Sequence, residues 1–216
     1  MNAWIDITVP LSNGLAPWPG DRPFRREIVS VLGEEGSLYN LSALEMSAHA
    51  GTHVDAPLHF VAGGTAVDAL DPELLIGAAF VLDMAGNATD ITDSDLSGRI
   101  PAGTHRLLIK TRNSQTLRDG AFHEGFIALS ERAADFIAAS GVWLLGMDSY
   151  SIGAFSVPAG AHRAILSTPG AAILENIDLS KAREGWYDLV CLPLRIAGGE
   201  GAPARALIRK SEEQRT

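Results

Sequence analysis

Apolar and polar side chains alternate over residues 4–9, which read Trp-Ile-Asp-Ile-Thr-Val. This alternation, with its β-branched residues, predicts a half-buried strand. Two more strand-like runs, 24–31 and 39–47, flank the turn-rich segment 33–37, and this arrangement predicts an antiparallel pair. Between the first and second runs, the prolines of residues 17–23 fix φ and remove backbone donors, so an ordered loop is expected there.

The clearest helical pattern covers residues 131–140, where Ser130 supplies an N-cap and Gly141 a stop. A continuous apolar run over 142–147 follows at once and predicts a buried strand. A shorter helix is expected over 159–166. Further strands are predicted over residues 78–84, 106–110, 171–174, 187–192 and 205–208. Helices that alternate with buried strands are typical of α/β proteins.

Length and composition are those of an ordinary globular protein. The chain has 216 residues, enough for one large core, and its 46% hydrophobic and 20% charged residues are far from the composition of a disordered chain. We therefore predict the fold class α/β: a single mixed domain over residues 1–216, with a central, largely β core flanked by a few helices.

Charge and cysteine content narrow the expected partners and compartment. A formal net charge of −9 argues against a nucleic-acid partner, because such binding depends on clustered Lys and Arg. Cys191, the single cysteine, cannot form an internal disulfide, and its apolar neighbours indicate a buried thiol in a strand. No secretory signal or membrane-length apolar run is visible, so we expect a cytoplasmic protein without a membrane partner.

The segment 49–59 reads His-Ala-Gly-Thr-His-Val-Asp-Ala-Pro-Leu-His and contains three of the six histidines. Its potential metal ligands are His49, His53, Asp55 and His59. Imidazole and carboxylate groups are ligands that borderline divalent ions prefer. Gly51 permits a tight turn and Pro57 ends a regular ladder, so the segment is expected to form an irregular loop that points several side chains inward.

This segment also has other interpretations. The histidines could belong to a surface loop, with one or two of them bonded to backbone carbonyls. The spacing is neither that of a zinc finger, because paired cysteines are missing, nor the helical His-Glu-x-x-His of metalloproteases. The sequence also lacks a Gly-x-Ser-x-Gly elbow that would support a serine nucleophile. Metal binding therefore remains the favoured interpretation.

The run His-x-Gly-Thr-His-x-Asp-x-Pro-x-His resembles the defining motif of the metal-dependent cyclase/hydrolase family, which includes bacterial kynurenine formamidase and isatin hydrolase. The resemblance extends to Trp-Pro-Gly-Asp at 18–21, Leu-Gly-Met-Asp-Ser at 145–149 and the glycine-rich segment 192–206. It thus covers nearly the whole chain, and it is stronger to the formamidase branch. The resemblance implies a cyclase-like swivelling β/β/α fold.

The resemblance also implies roles for individual residues. His49, His53 and Asp55 would bind divalent metal, with His162 and Glu175 completing a two-metal site. His59 would be the catalytic acid/base and Trp18 would line the substrate pocket. The ions would be zinc, with manganese as the alternative, and the protein would be a homodimer or a higher homo-oligomer.

Two of these assignments can also be weighed from the residues alone. A lone histidine early in a helix, as His162 is, is more often a capping or core residue than a ligand. Glu175 follows the apolar run 171–174, where a carboxylate is costly to bury unless it is paired or bound to metal. His105 and His123 match no motif and are expected at the surface.

The sequence departs from the formamidase pattern in two places. A second aspartate does not follow Asp148-Ser149 within a few residues, and His162 is followed by Arg163 where two adjacent histidines are common.

The expected activity is metal-dependent hydrolysis of an amide, because a divalent ion lowers the pKa of bound water from 15.7 to about 7. The leading substrate is N-formyl-L-kynurenine, which would give L-kynurenine and formate in tryptophan degradation. The alternative within the enzyme class is a cyclic amide or lactone such as isatin. Outside that class stands a non-catalytic protein that binds metal or another ligand.

Overall fold

The computed structural model describes residues 3–211. The strands are β1 (Ile5–Asp6), β2 (Arg25–Ser30), β3 (Leu41–Glu45), β4 (His53–Asp55), β5 (Ile76–Asp83), β6 (Arg106–Lys110), β7 (Leu144–Met147), β8 (Ala172–Glu175), β9 (Gly185–Pro193) and β10 (Gly201–Lys210). The α-helices are α1 (Pro72–Leu75), α2 (Asp93–Leu96), α3 (Glu131–Ala139) and α4 (Ala159–Leu166). Short 3₁₀ helices cover Pro57–His59, Val67–Ala69 and Arg112–Gln115.

Eight strands form one curved sheet in the order β1-β10-β4-β8-β7-β6-β5-β9. Strands β5 to β8 run parallel to one another, whereas the pairings made by β1, β4, β9 and β10 are antiparallel. Strand β9 also pairs with β10, so the sheet closes into a barrel-like ring. Closure satisfies backbone groups that a free sheet edge would expose.

The parallel strands are buried on both faces. Successive side chains point to opposite sides of a strand, and neighbours such as Val81 and Leu82 accordingly belong to two different apolar clusters. One cluster draws residues from all the ring strands and fills its interior. The other lies between the outer face and α2, α3 and α4. This double burial explains why β5 to β8 are nearly continuous apolar runs in the sequence.

The predicted α/β fold class is confirmed, with a central β core and few helices. Helices α3 and α4 lie where the sequence predicts them. Ser130 accepts a hydrogen bond from the backbone N–H of Ala133, and Gly141 adopts a positive φ of 82°. Cys191 is buried in β9, as expected. The first strand is shorter than predicted, because only Ile5–Asp6 pairs regularly with β10.

The expectation that the histidine motif forms an irregular loop is wrong for its centre. His53–Asp55 is strand β4, which lies between β10 and β8 and is buried along its whole length. Gly51, at a φ of 62°, makes the turn into the strand, and the Pro57–His59 3₁₀ helix follows it. Glu175 also differs from expectation, since it is the last residue of β8 and does not follow that strand.

Strands β2 and β3 form a separate two-stranded hairpin, as predicted. Several of its large apolar side chains are exposed, and Leu38 at its tip is 87% exposed. Within residues 3–211, none of the helices has the length and apolarity needed to cross a membrane.

Candidate metal centre and active site

Strand β4 brings two motif side chains to the same face of the sheet. His53 and Asp55 are two residues apart and so point the same way, toward the outer face that α4 covers, whereas Val54 joins the ring interior. In the register of β4 with β8, His53 lies opposite Glu175. All three polar side chains are buried. Strand pairing thus places two carboxylates and an imidazole together.

His49 reaches the cluster formed by these three side chains from the turn before β4. Its Nδ1 donates a hydrogen bond to Oδ1 of Asp55 at 2.8 Å, and its ring stacks on that of His59 with centroids 4.1 Å apart. Gly201 makes this approach possible, because a Cβ at that position would lie 2.8 Å from Cε1 of His49. The first residue of β10 therefore serves the site by leaving room for an imidazole.

His53 and His162 are oriented in the same way by backbone carbonyls. Nδ1 of His53 donates to the carbonyl of Gly51 at 2.8 Å, and Nδ1 of His162 donates to the carbonyl of Pro158 at 2.8 Å. A proton fixed on Nδ1 leaves the Nε2 lone pair available, which is how metal-binding imidazoles are usually oriented.

The Nε2 atoms face carboxylate oxygens. Nε2 of His53 lies 3.3 Å from Oδ1 of Asp55 and 3.4 Å from Oε2 of Glu175. Nε2 of His162 lies 3.1 Å from Oε1 of Glu175 and 3.7 Å from Oδ2 of Asp55. The geometry therefore brings together, from three separate parts of the chain, every residue that the resemblance implies as a ligand.

Two buried polar atoms of this cluster have no hydrogen-bond partner within the described residues: Oδ2 of Asp55 and Nε2 of His49. Such atoms are rare in native proteins, because a buried polar group without a partner is costly. The candidate ligand atoms form two sets, and within each set the atoms lie within 4.8 Å of one another. One set comes from His49, Asp55 and His59, and the other from His53, Asp55 and Glu175. Asp55 belongs to both sets, so the donor atoms fit a metal site in which this carboxylate could bind two ions.

The charges of the cluster are strongly interdependent. Burial opposes protonation of His53, but Asp55 and Glu175 raise its pKa to about 10. Burial likewise opposes ionisation of Asp55, yet His53 and His49 hold the pKa of that carboxyl well below its usual range. The pKa of His162 is raised against its burial by Glu175. Without metal, protonated imidazoles therefore supply the positive charge that the carboxylates require.

His59 differs from the other histidines of the cluster. It ends the Pro57–His59 3₁₀ helix and is partly exposed to the pocket. Burial lowers the pKa of His59, and the charge of Asp55 only partly offsets this effect. The ring is therefore neutral near pH 7 and can accept a proton.

The cluster forms the floor of a pocket of about 260 Å³. Trp18 forms part of its wall, and its ring contacts those of Phe122, Phe126 and Phe155 with centroids 5.1–6.3 Å apart. Trp18 thus lines the pocket and at the same time packs on an aromatic cluster. The Pro-rich loop that carries it is ordered by a hydrogen bond from the N–H of Asp21 to the carbonyl of Trp18.

Sequence reasoning missed several neighbours of the centre. The ring of Phe60 stacks on that of His162 at 4.4 Å, and Oε1 of Glu200 lies 3.4 Å from Nε2 of His49. Glu200 lies in the Gly-Gly-Glu-Gly stretch, whose glycines were the available signal. The remaining histidines take no part: His105 stacks on Trp143, and Nε2 of His123 donates a hydrogen bond to Oδ2 of Asp119 at 2.7 Å.

Comparisons with known proteins agree with this geometry. A family model described as "Putative cyclase" matches residues 5–154. The chain is 37% identical over 206 residues to a kynurenine formamidase of Bacillus cereus, covering 95% of this chain and 97% of that protein. A structure titled as a "predicted metal-dependent hydrolase" from Bacillus stearothermophilus superposes with a TM-score of 0.83 at 29% identity, covering 98% of this chain and 100% of that one.

Isatin hydrolase A from Labrenzia aggregata superposes equally well, with a TM-score of 0.83 over 97% of this chain and 94% of that one. At 23% identity this likeness supports the fold alone. The family match, the formamidase relative and the assembled motif residues agree, and the chain therefore belongs to the "Putative cyclase" family.

Proposed function

We propose that this protein is a metal-dependent amide hydrolase that converts N-formyl-L-kynurenine to L-kynurenine and formate. The observation that carries this proposal is the buried Oδ2 of Asp55, which lacks a hydrogen-bond partner among the described residues and lies beside histidines that line an aromatic-walled pocket. An unsatisfied carboxylate oxygen in such surroundings calls for a cation. The name of the Bacillus cereus relative supports the choice of substrate.

The ligands of the proposed metal centre are His49, His53, Asp55, His162 and Glu175. Mixed imidazole and carboxylate donors suit zinc and manganese alike, and we propose zinc first and manganese as the alternative. The membership of Asp55 in both ligand sets supports two ions. When bound, a divalent metal would supply an activated water near neutral pH and would polarise the carbonyl of the substrate.

His59 is the proposed acid/base. Its lowered pKa keeps the ring neutral at pH 7, so that it can accept a proton from the attacking water. The His59 ring then donates that proton to the arylamine nitrogen of the substrate as the C–N bond breaks. The stacking of His59 on His49 holds the ring beside the proposed ligands while leaving it open to the pocket.

Trp18 is the proposed wall for the aryl ring of the substrate. An indole face offers a large apolar contact to an aromatic ligand. Trp18→Ala should raise the KM for aryl formamides by roughly tenfold with a smaller change in kcat, because it removes binding that is equal in ground and transition states. Steady-state kinetics test this, and an unchanged KM would reduce Trp18 to a packing residue. Circular dichroism of the variant controls for its loss of aromatic packing.

The experiment that tests the function is a substrate panel on protein loaded with zinc or manganese: N-formyl-L-kynurenine, isatin and an aryl lactone. Preferential turnover of the formamide supports the proposal. Preferential opening of isatin or of the lactone would favour the cyclic-substrate alternative. Stoichiometric metal binding without any turnover would indicate a non-catalytic binding protein.

We also propose that residues 1–216 act as one domain in a cytoplasmic homodimer. Support for the dimer is the exposed apolar surface of the β2–β3 hairpin, which includes Ile28, Leu38 and Leu44. Contiguous exposed apolar surface usually marks an interaction site. Sedimentation of the wild type and of a Leu38→Glu/Leu44→Glu variant tests it, and a wild-type monomer would reject the dimer.

A further inference from the structure

The pocket has one fixed positive charge outside the candidate metal centre. Arg22 is the single Lys or Arg that lines it in the described part of the chain, and it belongs to the loop 17–23 that carries Trp18. The chain has a formal net charge of −9, and the pocket lining also holds the carboxylates of Asp21 and Glu175. An anionic group entering at the rim therefore meets attraction at Arg22 and repulsion from most other charges.

The position of Arg22 is tied to the histidine motif through Ser47. The backbone N–H of Ser47 donates to the carbonyl of Arg22 at 3.2 Å, and the Ser47 hydroxyl donates to Oδ2 of Asp21 at 3.0 Å. The same hydroxyl accepts from the N–H of His49 at 3.2 Å. Asp21 and Arg22 are thus held in a fixed position relative to the histidine motif, as recognition of a ligand at two points requires.

The guanidinium of Arg22 retains donors for a ligand. Within the described chain its hydrogen-bond partner is Glu45, which does not line the pocket. The two side chains are 67% and 47% exposed, and exposed ion pairs of this kind are weak. Since a guanidinium carries five N–H donors, a carboxylate in the pocket can bind to Arg22 beside Glu45 or in its place.

We propose that Arg22 is a specificity-determining residue that binds the carboxylate of an aryl formamide bearing an amino acid group. This inference rests on the proposed function and deepens it. N-formyl-L-kynurenine carries its carboxylate and ammonium groups at the end remote from the formyl nitrogen. When the formyl group is at the metal centre, that end points toward the rim. Arg22 matches the carboxylate in charge and in planar geometry, and adjacent Asp21 matches the ammonium.

Binding of two arylamines tests the inference directly. L-kynurenine carries the amino acid group, and 2-aminoacetophenone is the same aryl ketone without it. Calorimetry on metal-loaded wild type should show a preference for L-kynurenine, and Arg22→Ala should reduce that preference about tenfold. Arg22→Lys should fall between the two, because it keeps the charge and loses the planar fork. The same preference in wild type and Arg22→Ala would overturn the inference.

A matched control is Arg132→Ala. Arg132 is also an exposed arginine paired with a carboxylate, that of Asp93, but it does not line the pocket. Its replacement should leave the preference unchanged, and an equal loss there would assign the effect to overall charge and so overturn the inference.

Kinetics separate the inference from the function on which it rests. For Arg22→Ala, the ratio of kcat/KM for N-formyl-L-kynurenine to that for the formamide of 2-aminoacetophenone should also fall about tenfold, mainly through KM. If wild type hydrolyses neither formamide, the proposed function fails. The binding preference still upholds or overturns the role of Arg22 in that case.

Discussion

Two aspartates at the ends of nearby strands are equally buried and differ in how they are satisfied. Asp55 ends β4, and Asp148 directly follows β7; neither has exposed surface. Both oxygens of Asp148 accept hydrogen bonds from the backbone and hydroxyl groups of Thr111 and Ser114. Oδ2 of Asp55 accepts none within residues 3–211.

Burial alone therefore does not identify a functional carboxylate. The donors around Asp148 join the Arg112–Gln115 3₁₀ helix to the end of β7, which is a structural role. The groups around Asp55 are imidazoles whose lone pairs suit a metal ion. Burial raises the pKa of Asp148 to about 6, whereas neighbouring His53 and His49 outweigh the effect of burial on Asp55 and lower its pKa.

The largest effect is expected for Asp55→Asn, which keeps the shape of the side chain and removes its charge. Bound metal and turnover should fall to the level of metal-free protein. This loss exceeds the roughly 10–100-fold expected from removing an outer partner of a metal ligand. Elemental analysis and an activity assay on the same sample measure it. Full metal retention would show that Asp55 resembles Asp148 after all.

His59→Ala should lower the rate by roughly 10²–10⁴-fold, the range for losing a general acid/base, while metal content is retained. This separates the residue that moves protons from those that hold the ion. If metal is lost together with activity, His59 is a ligand of the set formed with His49 and Asp55.

Asp148→Asn should act on stability and not on metal. An amide cannot accept all the hydrogen bonds that Thr111 and Ser114 donate, so the free energy of unfolding should fall by about 1–3 kcal/mol, with or without chelator. Urea unfolding measures this change. Asp93→Asn, at an exposed ion pair with Arg132, is the control and should change stability by less than about 0.5 kcal/mol. Loss of metal from Asp148→Asn would contradict the structural role.

The smallest expected effect is the change with pH in the free energy of unfolding. The folded-state pKa of Asp148 lies above its unfolded value, so its contribution to stability is complete below about pH 4 and is lost as pH rises through 6. The stability difference between wild type and Asp148→Asn should therefore narrow by about 1 kcal/mol from pH 5 to pH 7.

In metal-free protein, the contribution of Asp55 to stability changes with pH in the direction opposite to that of Asp148. Its lowered pKa contributes stability that is present above about pH 4 and is lost as pH falls below that value. Unfolding of both variants with chelator across this range tests the contrast, and parallel pH profiles would contradict it.

The local pattern of apolar and polar residues was sufficient to predict much of the fold. Helix α4 has the predicted bounds, and α3 begins and ends within a residue or two of its capping signals. The strands of the parallel region were recognisable because burial on both faces leaves long apolar runs. The centre of the histidine motif was misassigned because Gly51 and Pro57 indicated an irregular loop. Gly51 does make a tight turn and Pro57 does end the regular structure, but a three-residue central strand lies between them.

By itself, the sequence determined which side chains could bind a metal, because imidazole and carboxylate chemistry belongs to the residues and needs no fold. It also determined the order of helices and strands, because hydrophobic periodicity is local. The tertiary structure decided which of these groups meet. Register places Glu175 opposite His53, and the packing of α4 brings His162 to both carboxylates. Long-range contacts also satisfy Asp148, because Thr111 and Ser114, which donate to it, lie more than 30 residues away in the chain.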